Sequence, residues 1–138
     1  MVHHGDLQYR KKRMPRWKKV SCLIQQLVAD FVCDYLSMPV TVSRAEITKD
    51  LSMAKVFFIT PHPALANKVG FRNIVLRMLP ENLLNKIQYI EDNDMLFLCY
   101  LNYMHPKICA HIFKSSKLRK IPAISFFIEQ EDFYNKKY

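Results

Sequence analysis

From Val20 onward the apolar positions repeat as an amphipathic helix does: Val20, Leu23, Ile24, Leu27, Val28, Phe31 and Tyr35 fall at i, i+3, i+4 and i+7. Lys18, Lys19, Gln25, Gln26 and Asp30 take the other faces. The pattern predicts a helix from about 17 to 36, stopping before Pro39, because proline disfavours helical backbone in the residue before it. Past Pro39 the period drops towards two. Val40 and Val42 alternate with polar neighbours, then Ala45 and Ile47 do so one residue out of phase, which predicts a bulge near Arg44. Lys49–Asp50–Leu51–Ser52 reads as a turn, and Ala54 to Thr60 is rich in strand formers, so the pair is expected to be an antiparallel hairpin.

Residues 61–93 are expected to form one or two short helices cut by Pro80. A better helix follows from Asp94, read as its N-cap, through Met104. Pro106 is expected to interrupt it, and Lys107 to Leu118 to continue as another helix with Ile108, Cys109, Ile112 and Phe113 facing inward. Ala123 to Ile128 is the third strand. A lone hairpin is marginal in water, so the third strand must complete one small sheet with helices on one face, an α+β arrangement. Residues 1–16 are expected to be a basic flexible tail, 17–130 a single domain, and 131–138 a frayed end.

Charge changes the picture most. The 138 residues carry 21 Lys and Arg against 12 Asp and Glu, a formal net charge of +9. Seven of the ten residues 10–19 are basic and none is acidic, and residues 105–128 hold five more bases with no acid. Clustering of one sign, rather than the mixture that solubility alone favours, points to a polyanion. The candidate phosphate contacts are Arg16, Lys18, Lys19, Lys107, Lys114, Lys117, Arg119 and Lys120. On one helix, Lys107, Lys114 and Lys117 would span about 15 Å.

Other chemistries are poorly served. Only Gly5 and Gly70 are present, so no glycine-rich phosphate loop exists and no nucleotide cofactor is expected. Cys22, Cys33, Cys99 and Cys109 form no CxxC pair and are expected as buried thiols. His3, His4, His62, His105 and His111 do not group as ligands, and no metal is expected. Neither the scattered carboxylates nor Ser115–Ser116 has a base beside it, so the chain is not expected to be an enzyme. The first twenty residues lack a signal-like apolar core and the run Met95 to Leu101 is far shorter than a membrane span, so a soluble, cytoplasmic monomer with no membrane partner is expected. Phe57 and Phe127, each beside a core-facing Phe on its strand, would share the opposite face, either as a platform for unpaired bases or as cover for the sheet.

Two stretches carry a resemblance. Residues 40–60 (VTVSRAEITKDLSMAKVFFIT) are similar to the first hairpin of the bacterial ribosome-binding factor A family, whose Asp-Leu-x-x-Ala-x-Val signature appears here as Asp50, Leu51, Ala54 and Val56. Residues 118–130 (LRKIPAISFFIEQ) resemble that family's closing segment, and Lys19–Val20 with Leu23–Ile24 its opening helix. The resemblance implies a type II KH-like fold of helix-strand-strand-helix-kinked helix-strand order. It further implies a non-enzymatic role in late maturation of the small (30S) ribosomal subunit, in contact with 16S rRNA and its processing. Met104–His105–Pro106 stands where the family has Ala-x-Gly at its helix kink, and residues about 62–93 are an insertion after the second strand. A general KH-like binder of single-stranded RNA or DNA is the alternative, and a protein-interaction module centred on residues 64–92 is a third.

Overall fold

The computed structural model describes residues 14–36 and 40–129. The expected tails therefore lie outside the described residues, apart from 14–16, and Arg16 already belongs to the first helix. The elements run α1 (Arg16–Tyr35), β1 (Thr41–Ile47), β2 (Met53–Ile59), α2 (Pro63–Val69), α3 (Phe71–Arg77), α4 (Glu81–Ile87), α5 (Asn93–Ser115) and β3 (Ala123–Ile128). The class is α+β. One sheet has the order β1-β2-β3, with β1 antiparallel to β2 and β2 parallel to β3. A parallel pair needs a long crossover, which α2 to α5 supply.

The helices cover one face of that sheet. Ala54, Val56 and Phe58 of β2 and Ile124 and Phe126 of β3 are buried, while Met53, Lys55, Ala123, Ser125 and Phe127 between them are exposed. The expected bulge is present between Val42 and Arg44. It inserts Ser43 into the alternation, so that Val42 points into the core but Arg44 and Glu46 both turn outward. α1 runs antiparallel to β1: Ser21 Oγ donates to the Ala45 carbonyl, and Gln25 Nε2 to those of Val42 (3.3 Å) and Ser43 (3.4 Å).

The hairpin turn is tied by side chains. Asp50 Oδ1 accepts from Thr48 Oγ1 (2.7 Å), Ser52 Oγ (2.7 Å) and the Ser52 amide (3.1 Å). These donors, the Thr48 hydroxyl first, hold the Asp50 carboxyl down at about 2. Leu51 takes a left-handed φ of 61°, a conformation that costs a branched residue about 1 kcal/mol or more and is tolerated where neighbours over-determine it. The Asp50, Leu51, Ala54, Val56 signature thus has a structural reading: two residues shape the turn, and two fill the core at 1% and 0% exposure.

Residues 61–93 form three helices instead of one or two. They are not an appendage, since Ala66, Phe71, Val75, Leu79 and Ile87 join the common core. Phe71 packs on Phe97 of α5, which meets Phe58 of β2 edge-on at 5.6 Å. The single glycine this segment needs is Gly70, whose φ of 70° closes α2 and opens α3.

α5 departs most from expectation. Its N-cap is Asp92, whose carboxylate accepts from the Asp94 amide at 2.9 Å, while Asp94 accepts the Thr60 hydroxyl at 2.5 Å. The helix then continues through Pro106 to Ser115 as one element, where two were expected. Proline forfeits the bond to the Asn102 carbonyl, but Asn102 is exposed and water can take that acceptor. Leu101 and Met104 before the proline and Ile108 and Ile112 after it are all buried, so both halves are held on the core. The cysteines also differ from expectation. Cys22 and Cys33 are exposed on the side of α1 away from Ile24 and Val28, and Cys99 and Cys109 are half-buried. No described helix is long and apolar enough to cross a membrane.

Candidate nucleic-acid interface

All eight sequence-predicted cations are exposed. Among the described residues, none of them forms an ion pair; the two ion pairs present both belong to Arg44. Arg16, Lys18 and Lys19 occupy the first turn of α1, which holds no acidic residue. Cations there oppose the helix dipole at a cost of about 0.3–1 kcal/mol each, so the arrangement favours an incoming anion over the isolated helix. Lys18 also lies 5.8 Å from the centre of the Trp17 ring.

Because α1 is antiparallel to β1, its basic start lies towards Ile47 and the Thr48–Ser52 turn. β3 begins at that same end, with the Ala123 amide donating to the Ser52 carbonyl at 2.9 Å. Lys117, Arg119 and Lys120, in the connection leading to Ala123, therefore approach the end of the sheet that the start of α1 approaches. The expectation that Lys117 continues the helix of Lys107 and Lys114 does not hold. α5 stops at Ser115, and Ser116 takes an extended backbone from which its hydroxyl accepts the Leu118 amide at 3.4 Å.

Lys107 and Lys114 lie on α5 itself. The buried residues of α5 are Leu96, Phe97, Tyr100, Leu101, Met104, Ile108 and Ile112, and its exposed residues after Asn102 include Tyr103, Pro106, Lys107, Ala110, Phe113 and Lys114. His111 between them rests against Phe31 of α1 with ring centres 5.4 Å apart. By helical rise, Phe31 is about 18–22 Å along α1 from Lys19 and Arg16. Arg16, Lys18 and Lys19 thus lie at the end of α1 remote from its contact with His111.

In the Met104–His105–Pro106 motif the first two residues serve packing, while Pro106 is exposed. Met104 is buried; His105 pairs its Nε2 with the Ile124 carbonyl at 2.9 Å and meets Phe126 edge-on at 5.7 Å, which pins α5 to β3. Cys109 Sγ lies 3.7 Å from the same ring, and burial pushes its thiol up, the reverse of an activated nucleophile.

Phe57 and Phe127 do share the outer sheet face, stacked with ring centres 5.3 Å apart. That face is already occupied by the protein's own groups. The Arg44 guanidinium lies 4.1 Å over Phe57, and Lys55 is 5.7 Å from the centre of Phe127. Arg44 also pairs with Glu46 at 3.0 Å and with Glu129, which accepts from Ser43 Oγ at 2.6 Å. Two cations face two carboxylates, so the patch has no surplus charge.

Sequence reasoning missed the exposed aromatics of α5. Phe113 was expected inside, yet it is 58% exposed, and Tyr103 is 42% exposed. The signal was available: once Phe97, Leu101, Met104, Ile108 and Ile112 are aligned as a stripe, Phe113 falls about 150° away from it. Among the described residues, no group of three or more His, Cys, Asp or Glu side chains could hold a metal ion. No protein-family profile matches the chain, and comparison with curated proteins finds no match.

Proposed function

We propose that this chain is a non-enzymatic assembly factor that binds the small (30S) ribosomal subunit and its 16S rRNA during late maturation, on a single type II KH-like domain. The observation that carries the proposal is the acid-free stretch from Met95 to Ile128, whose five bases are all exposed and unpaired among the described residues. The element order, with its antiparallel and then parallel strand pairing, supports the KH-like reading. So do Asp50, Leu51, Ala54 and Val56, which fill roles a hairpin of this kind requires.

Electrostatic docking on phosphates comes first and brings the rigid domain onto the rRNA. The binder then shifts an rRNA equilibrium by the difference in its affinity for the two arrangements and by no more than that. No bond is made or broken, so the role requires no nucleophile or cofactor.

The test is co-sedimentation of the full chain with free small subunits, with large subunits and with whole ribosomes. Retention on free small subunits alone is expected. Equal retention on all three, or none, overturns the subunit assignment. The second reading, a general KH-like binder of single-stranded RNA or DNA, is favoured by the exposed rings of α5. It predicts affinity for any unstructured strand with no preference for free small subunits.

A further inference from the structure

The outer arc of α5 pairs two exposed rings with two exposed cations. Tyr103, Lys107, Ala110 and Lys114 lie in one line at i, i+4, i+7 and i+11, about 16 Å long, with Phe113 about a quarter turn round the helix from it. Neither Tyr103 nor Phe113 makes a hydrogen bond or ring contact with another described residue, and both are exposed, at 42% and 58%. Pro106 and Ala110 keep the surface between the rings low. No carboxylate occurs on this helix after Asp94. An apolar partner surface would leave both lysines to be desolvated without a counter-charge. A strand of alternating phosphates and unpaired bases satisfies both kinds of group at once.

We infer that single-stranded RNA lies along α5, with unpaired bases stacked on Tyr103 and Phe113 and phosphates on Lys107 and Lys114. This rests on the RNA-binding reading above and gives that site its substrate class. A duplex hides its base faces within its own stack, so it can engage the lysines but not the rings. The line thus discriminates between the two forms of RNA by the aromatic groups and holds either by the charges.

The experiment measures binding of the full chain to a labelled single-stranded RNA of about fifteen nucleotides and to its blunt duplex, at fixed salt. Tyr103→Ala with Phe113→Ala is expected to weaken single-strand binding at least about 10-fold and to leave duplex binding unchanged. Tyr103→Phe with Phe113→Tyr, which keeps both rings, should bind as the parent does. Single-strand affinity unchanged in the double alanine variant overturns the inference, as does an equal loss on strand and duplex. Co-sedimentation, run in parallel, separates this from the subunit assignment. Failure of the parent chain to sediment with small subunits, combined with ring-dependent strand binding, removes the assignment and keeps the inference. Normal sedimentation with ring-independent strand binding does the opposite.

Discussion

The outer face of the sheet and the outer arc of α5 both combine aromatic rings with cations, and they are built to opposite ends. On the outer sheet face, Arg44 lies on Phe57, Phe57 stacks on Phe127, and Glu46 and Glu129 hold Arg44 in place. Each group there is spent on another of the same chain. On the outer arc of α5, Tyr103, Lys107, Phe113 and Lys114 form no hydrogen bond, ion pair or ring contact with another described residue. Residue types alone do not distinguish the two surfaces. Mutual satisfaction does: a self-paired patch stabilises the fold, and an unpaired one is free to bind.

The sharpest way to break this comparison is to exchange charge on α5. Lys107→Glu with Lys114→Glu should lower RNA affinity at about 0.1 M salt by more than about 10-fold, measured by filter binding, with little change in melting temperature. Next comes truncation on the sheet. Phe57→Ala should destabilise the domain by about 1–3 kcal/mol in denaturant titration, because it removes a half-buried ring together with its stack on Phe127. Its RNA affinity should remain that of the parent; a selective loss of RNA binding would move the site to the sheet.

Acid unfolding tests the turn at the edge of that structural face. The folded Asp50 carboxyl titrates at about 2, below its ordinary 3.8. The stability it contributes is fully present above pH 4 and is lost as pH falls towards 2. Asp50→Asn should flatten the pH dependence of the melting temperature across that window; an unaltered acid limb would contradict the turn's role. The smallest effect is expected at Arg44→Ala. Exposed ion pairs contribute about 0.2–1 kcal/mol, so a slight loss of stability and unchanged RNA affinity are predicted, the latter because Glu46 and Glu129 already neutralise this charge.

What the sequence revealed follows from which signals are local. The bulge before Arg44 and the AISFFI strand are set by the alternation of neighbouring residues and appear where the pattern placed them, and the α1 stripe does so except at Tyr35, which is 47% exposed, and at Val32, which is buried outside the predicted positions. Pro106 misled because proline's effect on a helix is also decided by the packing on either side. Met104 and Ile108 hold the two halves to the core, which a reading of local propensity does not weigh. The inserted segment was underestimated for a similar reason. Its short helices gain their stability from Phe71 and Val75 meeting α5, a contact between distant parts of the chain. At the candidate interface, composition pointed to the cations. Whether each had a partner depended on geometry, and it was geometry that turned Phe113 outward and pinned His105 to β3.

The central claim of the proposal is that the exposed cations on α5 and at the entry to β3 dock on rRNA phosphates of the small subunit. Its most direct test is the slope of log affinity for free small subunits against log salt, for the parent and for Lys107→Glu with Lys114→Glu. A steep negative slope for the parent, made shallower by roughly one to two in the variant, is predicted. Parallel slopes for the two proteins would contradict it.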